Sequence, residues 1–276
     1  MKYIIKFLFI GIFLVSCSKT ENSIEKNPFN EPLIKKMRTN VFYPGSSLYN
    51  NNPDLIFNFE YDTYSRLIKK IGGDLTIPIS SGNVKVFTDK IYTTLVYSGQ
   101  NVTVEDFSSS VDFSAVLNTK YFTLNDLNQI EKKEIPNENN YLVKKQTFNY
   151  SDKHITEIKT FFPNQPYVPT DPNSYILTYL EKFYYDINGN LIRSEYFRQQ
   201  NGINKGERII RTFEDYDNSI NPCKRLQLLD EFFYRSLSKN NYRKYTEIHY
   251  YNEILGSEST TTWSFNYDGK GQIIIY

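Results

Sequence analysis

Alanine is almost missing from this chain: Ala115 is the only one in 276 residues. Because alanine is the strongest helix former, its scarcity argues against a helical fold. Cysteine is limited to Cys17 and Cys223, and histidine to His154 and His249. That inventory cannot furnish a four-ligand zinc site of the usual Cys/His kind. Beyond the first sixteen residues, no stretch approaches the roughly 20 apolar residues that a transmembrane helix requires. Charge of one sign is lacking too, with 32 basic side chains against 31 acidic ones. A near-neutral chain carries no electrostatic footprint for nucleic acid, so no nucleic-acid partner is expected.

The N-terminus opens with Lys2 and Lys6 and continues through an uncharged apolar run to Val15. A basic start, an apolar run of about 7–15 residues and a small-residue cleavage site make a secretory signal, too short to span a bilayer. The run ends in Leu14-Val15-Ser16-Cys17. This resembles the lipobox of bacterial lipoproteins. The resemblance implies cleavage before Cys17 and acylation of that residue with palmitate-type chains. Several acyl chains on one residue anchor a protein stably, where a single chain binds reversibly. Residues 1–16 are therefore expected to be signal peptide, 17–32 a lipidated flexible tether, and 33–276 a single β-sheet domain. The membrane is an expected partner through the lipid on Cys17. Ser18, in place of the Asp that marks inner-membrane retention, implies the outer membrane, on its periplasmic face or at the cell surface. Cleavage leaves 276 − 16 = 260 residues, with 32 − 2 = 30 basic side chains and Cys223 as the remaining thiol, so no internal disulfide is expected.

What the chain has in abundance is aromatic: 24 Tyr and 20 Phe. Aromatic and β-branched residues favour strands. One pattern recurs. Phe57-Asn58-Phe59-Glu60-Tyr61-Asp62 leads to Leu67, Phe183-Tyr184-Tyr185-Asp186 to Leu191, and Phe265-Asn266-Tyr267-Asp268 to Ile273. In all three the Tyr before the Asp stands six positions ahead of an aliphatic residue. A shorter copy runs from Tyr150 to Ile155, and Phe213-Glu214-Asp215-Tyr216-Asp217 begins another with a different continuation. Alternation such as Phe57/Phe59/Tyr61 puts aromatics on one face of a strand. The Asp accepts hydrogen bonds from turn amides, and Asn188-Gly189 or Gly269-Lys270-Gly271 supplies the positive φ of a tight reversal. Further alternating segments lie at Ile91–Tyr97, Asn101–Val104, Lys120–Asn125 and Lys244–Tyr250. The expectation is all-β: a large curved antiparallel meander of roughly a dozen strands, open or closing part-way into a barrel. Lys224–Leu237 places Leu226, Leu229, Phe233 and Leu237 on one helical face, which predicts a short helix or loop capping one end of the sheet. Ser108–Lys120 is a weaker helix candidate, and Pro163–Asn173, with four prolines, predicts a loop.

Tyr185-Asp186-Ile187-Asn188-Gly189-Asn190-Leu191 resembles the unit of the YD-repeat (Rhs-type) family, approximately aromatic-x-Tyr-Asp-x-x-Gly-x-Leu. The other copies depart from it, with Ser65 in the Gly position of the first. The lipobox combined with such units is similar to a group of uncharacterised Gram-negative envelope lipoproteins. Neither resemblance implies an activity.

The residues that could carry chemistry do not assemble into a motif. His154 falls in a predicted turn and His249 in an alternating strand, neither with a visible third group to orient it as a base. Cys223 precedes Lys224-Arg225, which could activate a thiol, but a small packed residue is the expectation. Asp215, Asp217, Ser219 and Asn221 alternate like a calcium loop, yet Ile220 and Leu226 stand where an EF-hand needs Gly and Glu. No catalytic, metal or cofactor site is therefore assigned, and lipidation at Cys17 is the one assigned modification. The expected function is a non-catalytic binding or structural module of the envelope, with a glycan or protein as its partner. The alternatives are a glycan-processing enzyme using two loop carboxylates, or a carrier of a hydrophobic ligand inside a closed sheet.

Overall fold

The computed structural model describes residues 33–42, 55–80, 82–111 and 118–276, without side chains at 76–79 and 83–85. These residues fall within one compact unit, Glu31–Tyr276. The expected signal peptide, Cys17 and the expected tether up to residue 32 lie outside the described residues.

Fourteen strands form one sheet: β1 (Lys36–Arg38), β2 (Ile56–Tyr61), β3 (Leu67–Ile79), β4 (Gly82–Ser98), β5 (Asn101–Ser108), β6 (Lys120–Leu124), β7 (Ile130–Ile135), β8 (Lys144–Ser151), β9 (His154–Phe161), β10 (Leu177–Tyr185), β11 (Leu191–Gln200), β12 (Ile203–Tyr216), β13 (Tyr242–Tyr251) and β14 (Ile254–Thr262). Each pairs antiparallel with its sequence neighbours, in unbroken order from β1 to β14. The all-β antiparallel meander expected from the sequence is the fold. Residues 162–176 form the expected proline-containing loop. Of the weaker helix candidate, 112–117 lie outside the described residues, and Ser109–Val111 are irregular.

The turns follow the chemistry of the repeat. Asp62 Oδ1 accepts from the amides of Tyr64 and Arg66 at 2.9 and 2.8 Å. Asp186 Oδ1 does the same for Asn188 and Asn190, and Asp268 Oδ1 for Lys270 and Gln272. One residue in each turn takes positive φ: Ser65 at 62°, Gly189 at 83° and Gly271 at 73°. A fourth copy, without Tyr-Asp, joins β6 to β7. Asn125 Oδ1 accepts from Leu127 and Gln129, Asn128 takes φ 58°, and Leu124 pairs with Ile130 six positions on. Just before the turns at Tyr61, Leu124, Tyr150 and Tyr185 the register slips by a bulge, which adds twist and bends the strand. The tyrosines also tie neighbouring units together. Tyr150 donates its hydroxyl to Ile130 O at 3.0 Å, and Tyr216 donates to Leu191 O. The third expected hairpin, Phe265–Ile273, departs from expectation. It keeps the Asp268 turn but forms only an isolated bridge, Tyr267 to Ile273, outside the sheet's strands. Its Phe265 turns to the core instead, packing on Phe42 at 5.6 Å.

Residues 217–241, between β12 and β13, replace a turn with an insert. The expected helix breaks into 3-10 turns at Pro222–Leu226 and Asp230–Phe232 and a four-residue helix, α1 (Phe233–Ser236). One continuous helix would carry its apolar stripe along a single face. Here the apolar side chains leave in several directions, because the insert meets strands on several sides. Phe232 packs on Phe57 and Phe59 of β2, Phe233 on Phe148 of β8, and Tyr234 on Phe183 of β10 and Phe213 of β12. Leu226, Phe232 and Cys223 are wholly buried. The insert also bonds to hairpin ends. Arg225 donates to Ser65 O, Gln227 to Asn128 O, and Lys239 N to Gly189 O. It therefore enters from the end where the Asp turns lie and fills the sheet, rather than only capping it.

The neck of the insert is a polar clamp. Asp217 Oδ1 accepts from Asn241 N and Ser219 N, and Oδ2 from Ser219 Oγ at 2.7 Å. Asn221 donates to Arg235 O and Ser238 O and accepts from Cys223 N.

Truncating Phe232→Ala at the centre of this packing should cost about 3–5 kcal/mol in urea unfolding. Ser65→Gly should stabilise by about 0.5–1 kcal/mol, because a left-handed serine is strained where glycine is not.

Candidate functional site

Among the described residues no ladder joins β1 to β14, so the sheet is not closed into a barrel. The C-terminal segment crosses the seam, where Arg38 N donates to Ile275 O at 2.8 Å, Lys36 Nζ donates to the Tyr276 hydroxyl at 3.4 Å and Phe265 packs on Phe42. Beside this seam lies a pocket of about 250 Å³. Phe42, just after β1, stands on one side, with Tyr242, Tyr245, Thr261 and Trp263 on the other, and the insert adds Glu231, Tyr234 and Arg235. Strict alternation along β13 would put Tyr242 and Tyr245, three positions apart, on opposite faces, yet both rings reach Phe213.

Arg235 is 5% exposed and sits in an aromatic cage. Its guanidinium carbon lies 4.0 Å from the Tyr242 ring centroid, 4.4 Å from Phe42, 4.5 Å from Trp263 and 5.8 Å from Phe265. Ring faces stabilise its charge when water is excluded, but they do not satisfy its N–H groups. Nη1 donates to Tyr242 O at 3.3 Å, whereas Nη2 has no acceptor among the described residues. The indole Nε1 of Trp263 is a second buried donor without an acceptor there. Glu231 bonds through Oε1 to Lys70, which reaches in from β3.

Behind the pocket stands a charge network. Arg211 donates to Glu181 Oε1 at 3.1 Å and to Glu247 Oε2 at 2.8 Å. Tyr234 donates to Glu181 at 2.8 Å, Tyr245 donates to Glu247, and His249 Nε2 lies 2.7 Å from Glu247 Oε1. Burial raises the pKa of Glu181, and Arg211, Ser194 and Tyr234 offset it only in part. Burial would raise Glu247 too, but Tyr245, His249 and Arg211 together outweigh it and bring its pKa down. On the far side of the insert, Asp230 holds Lys133 and Lys120 at 2.6 and 2.8 Å. Burial pushes Asp230 upward, yet its two cations reverse that, and the net shift is downward.

The residues singled out by sequence separate clearly. His154 begins β9 and lies 4.5 Å from the Tyr185 ring, apart from the charge network. His249 does have a carboxylate partner, Glu247, two positions away on the same strand face, a relation that alternation alone would have revealed. Cys223 is buried, and burial pushes its thiol up to about 12, with Arg235 opposing weakly. The calcium-like series points apart: Asp215 binds Arg243, Asp217 is engaged by Ser219, Asn241 and Tyr267, and Asn221 faces backbone carbonyls. Among the described residues no three His, Cys, Asp or Glu side chains are grouped to hold a metal. Arg235 and Trp263 were not legible as site residues, since only the fold brings the insert beside the last strand.

No protein-family model matches the chain, and no curated protein matches it. Among solved structures, a porin-like protein from Bacteroides uniformis ATCC 8492 is similar at 12% identity and a TM-score of 0.47, over 79% of this chain and 80% of that one. A porin-like protein from Bacteroides vulgatus ATCC 8482 is similar at 12% identity and a TM-score of 0.43, over 88% of this chain and 90% of that one.

The native protein should leave Cys223 unlabelled by maleimide and become labelled on unfolding in urea. Asp230 gives up its proton more readily when folded, so its contribution is complete above the ordinary 3.8 and is lost as pH falls through the lower folded value. Urea midpoints should therefore drop below about pH 4, and Asp230→Asn should flatten that decline.

Proposed function

We propose that this chain is a lipid-anchored outer-membrane protein acting as a non-catalytic binding module, with the seam pocket as its ligand site. The observation that carries the reading is a pocket of about 250 Å³ walled by aromatic rings and backed by two buried donors that have no acceptor among the described residues. A concave, mostly aromatic surface with a few directed polar groups is the usual form of a small-ligand site. The lipobox ending at Cys17 and the YD-type units support envelope attachment, as Several acyl chains on Cys17 would hold the domain at a membrane surface.

The alternatives fit less well. A hydrophobic carrier needs an empty interior, and here Leu226, Leu229 and Phe232 occupy it. An enzyme would draw on Glu181 and Glu247, whose pKa values move in opposite directions as an acid and a base require. Arg211, however, bonds to both and stands where a substrate bond or a water would have to lie.

Palmitate labelling and membrane fractionation test the anchor: the wild-type chain should label and sediment, and Cys17→Ser should do neither. Protease treatment of intact cells then separates the surface from the periplasmic face. A glycan array probed with the detergent-solubilised full chain tests the binding role. Saturable retention without product formation supports it. Hydrolysis that disappears in Glu181→Gln would replace it with the enzyme.

A further inference from the structure

We infer that the seam pocket takes a single acidic sugar ring, a pyranose bearing a carboxylate. This rests on the binding reading above and names the ligand class of the same site. Three features define that class. The first is charge. Glu231 is held by Lys70 through Oε1, and the carboxylates behind the pocket, Glu181 and Glu247, share Arg211. The group left uncompensated is the Arg235 guanidinium, with Nη2 lacking an acceptor among the described residues. A buried cationic donor without an acceptor is costly, and a carboxylate is its strongest available partner. The cage is already filled by that cation, so a positively charged ligand is excluded by repulsion.

The second feature is shape. Trp263, Tyr242 and Phe42 present ring surface, and the space of about 250 Å³ falls below the roughly 300 Å³ at which drug-sized sites begin. That suits one ring rather than an oligomer held along its length. The C–H face of a pyranose packs against aromatic carbon while its edge stays polar.

The third feature is the rim. Thr261 and Glu231 add polar side chains to the pocket lining, while Tyr245 already donates its hydroxyl to Glu247. These groups suit ring hydroxyls. An apolar aromatic acid would match Arg235 but leave the rim unanswered. The indole Nε1 of Trp263, a pocket-lining residue, is a second buried donor without an acceptor among the described residues.

Trp263 is the only tryptophan in the chain, so its fluorescence reports on the pocket wall directly. The test titrates the full chain in detergent with methyl β-D-glucuronide, methyl β-D-glucoside and N-acetyl-phenylalanine. The glucuronide should give a saturable change, with the other two at least about ten-fold weaker, the factor expected for one charged hydrogen bond. Arg235→Lys keeps the charge but loses the planar fork and should weaken the glucuronide about ten-fold and the glucoside by clearly less. Thr261→Val, on the last strand and remote from the neck clamp, should weaken both sugars several-fold and serves if Arg235→Lys does not fold. Equal affinity for glucuronide and glucoside would overturn the acidic class while leaving the binding module intact. Equal affinity for N-acetyl-phenylalanine would overturn the sugar, and no saturable response to any probe would overturn the site.

Discussion

The ring of Phe232 meets Phe57 and Phe59 edge-on, each with centroids 6.1 Å apart, and most of the architecture follows from that packing. Phe232 belongs to an insert near the C-terminal end of the sheet, while Phe57 and Phe59 belong to its second strand. Contact between them requires the sheet to curl until early and late strands face the same few residues. The driving force is apolar burial. A fourteen-stranded meander exposes one aromatic face along its whole width, and side chains such as Phe148, Phe183 and Phe213 need a partner layer. The insert supplies that layer from within the chain. Bulges before the Asp turns help, because each adds local twist to a strand that would otherwise stay flat.

Filling the interior this way leaves two consequences. Charged side chains that point inward below the insert need partners, and the insert brings Asp230 to Lys120 and Lys133 and Glu231 to Lys70. Breaking one member of such a set strands the other in a poorly solvated place, which makes the set specific as well as stabilising. The second consequence is the seam. Because the C-terminal segment meets β1 at Arg38 and Lys36 and no ladder joins β1 to β14 among the described residues, the seam stays open there, and Arg235 is left among aromatic rings at its edge. The pocket is a product of incomplete closure.

The repeat was legible because its cause is local. An Asp two residues ahead of one amide and four ahead of another bonds both in the same turn, and the six-residue spacing sets which Tyr and aliphatic residue pair. The Asn125 turn escaped notice because it uses Asn for Asp and Asn128 for Gly, substitutions with the same hydrogen-bonding geometry but another spelling. The helical stripe at Leu226, Leu229, Phe233 and Leu237 misled for the opposite reason. Apolar spacing reports which residues are buried, and here they are buried against several different strands rather than along one face.

By itself the sequence determined the strand class, the positions of the Tyr-Asp reversals and the aromatic side chains that turn inward beside them, since each depends on residues within a few positions of one another. Only the tertiary structure decided where the insert lies, which charges pair across the interior, and that Arg235 and Trp263 share a pocket with Phe42. Those contacts join positions up to some two hundred residues apart. No local pattern encodes them, because they arise from how far a bulged and twisted sheet curls before its core is full.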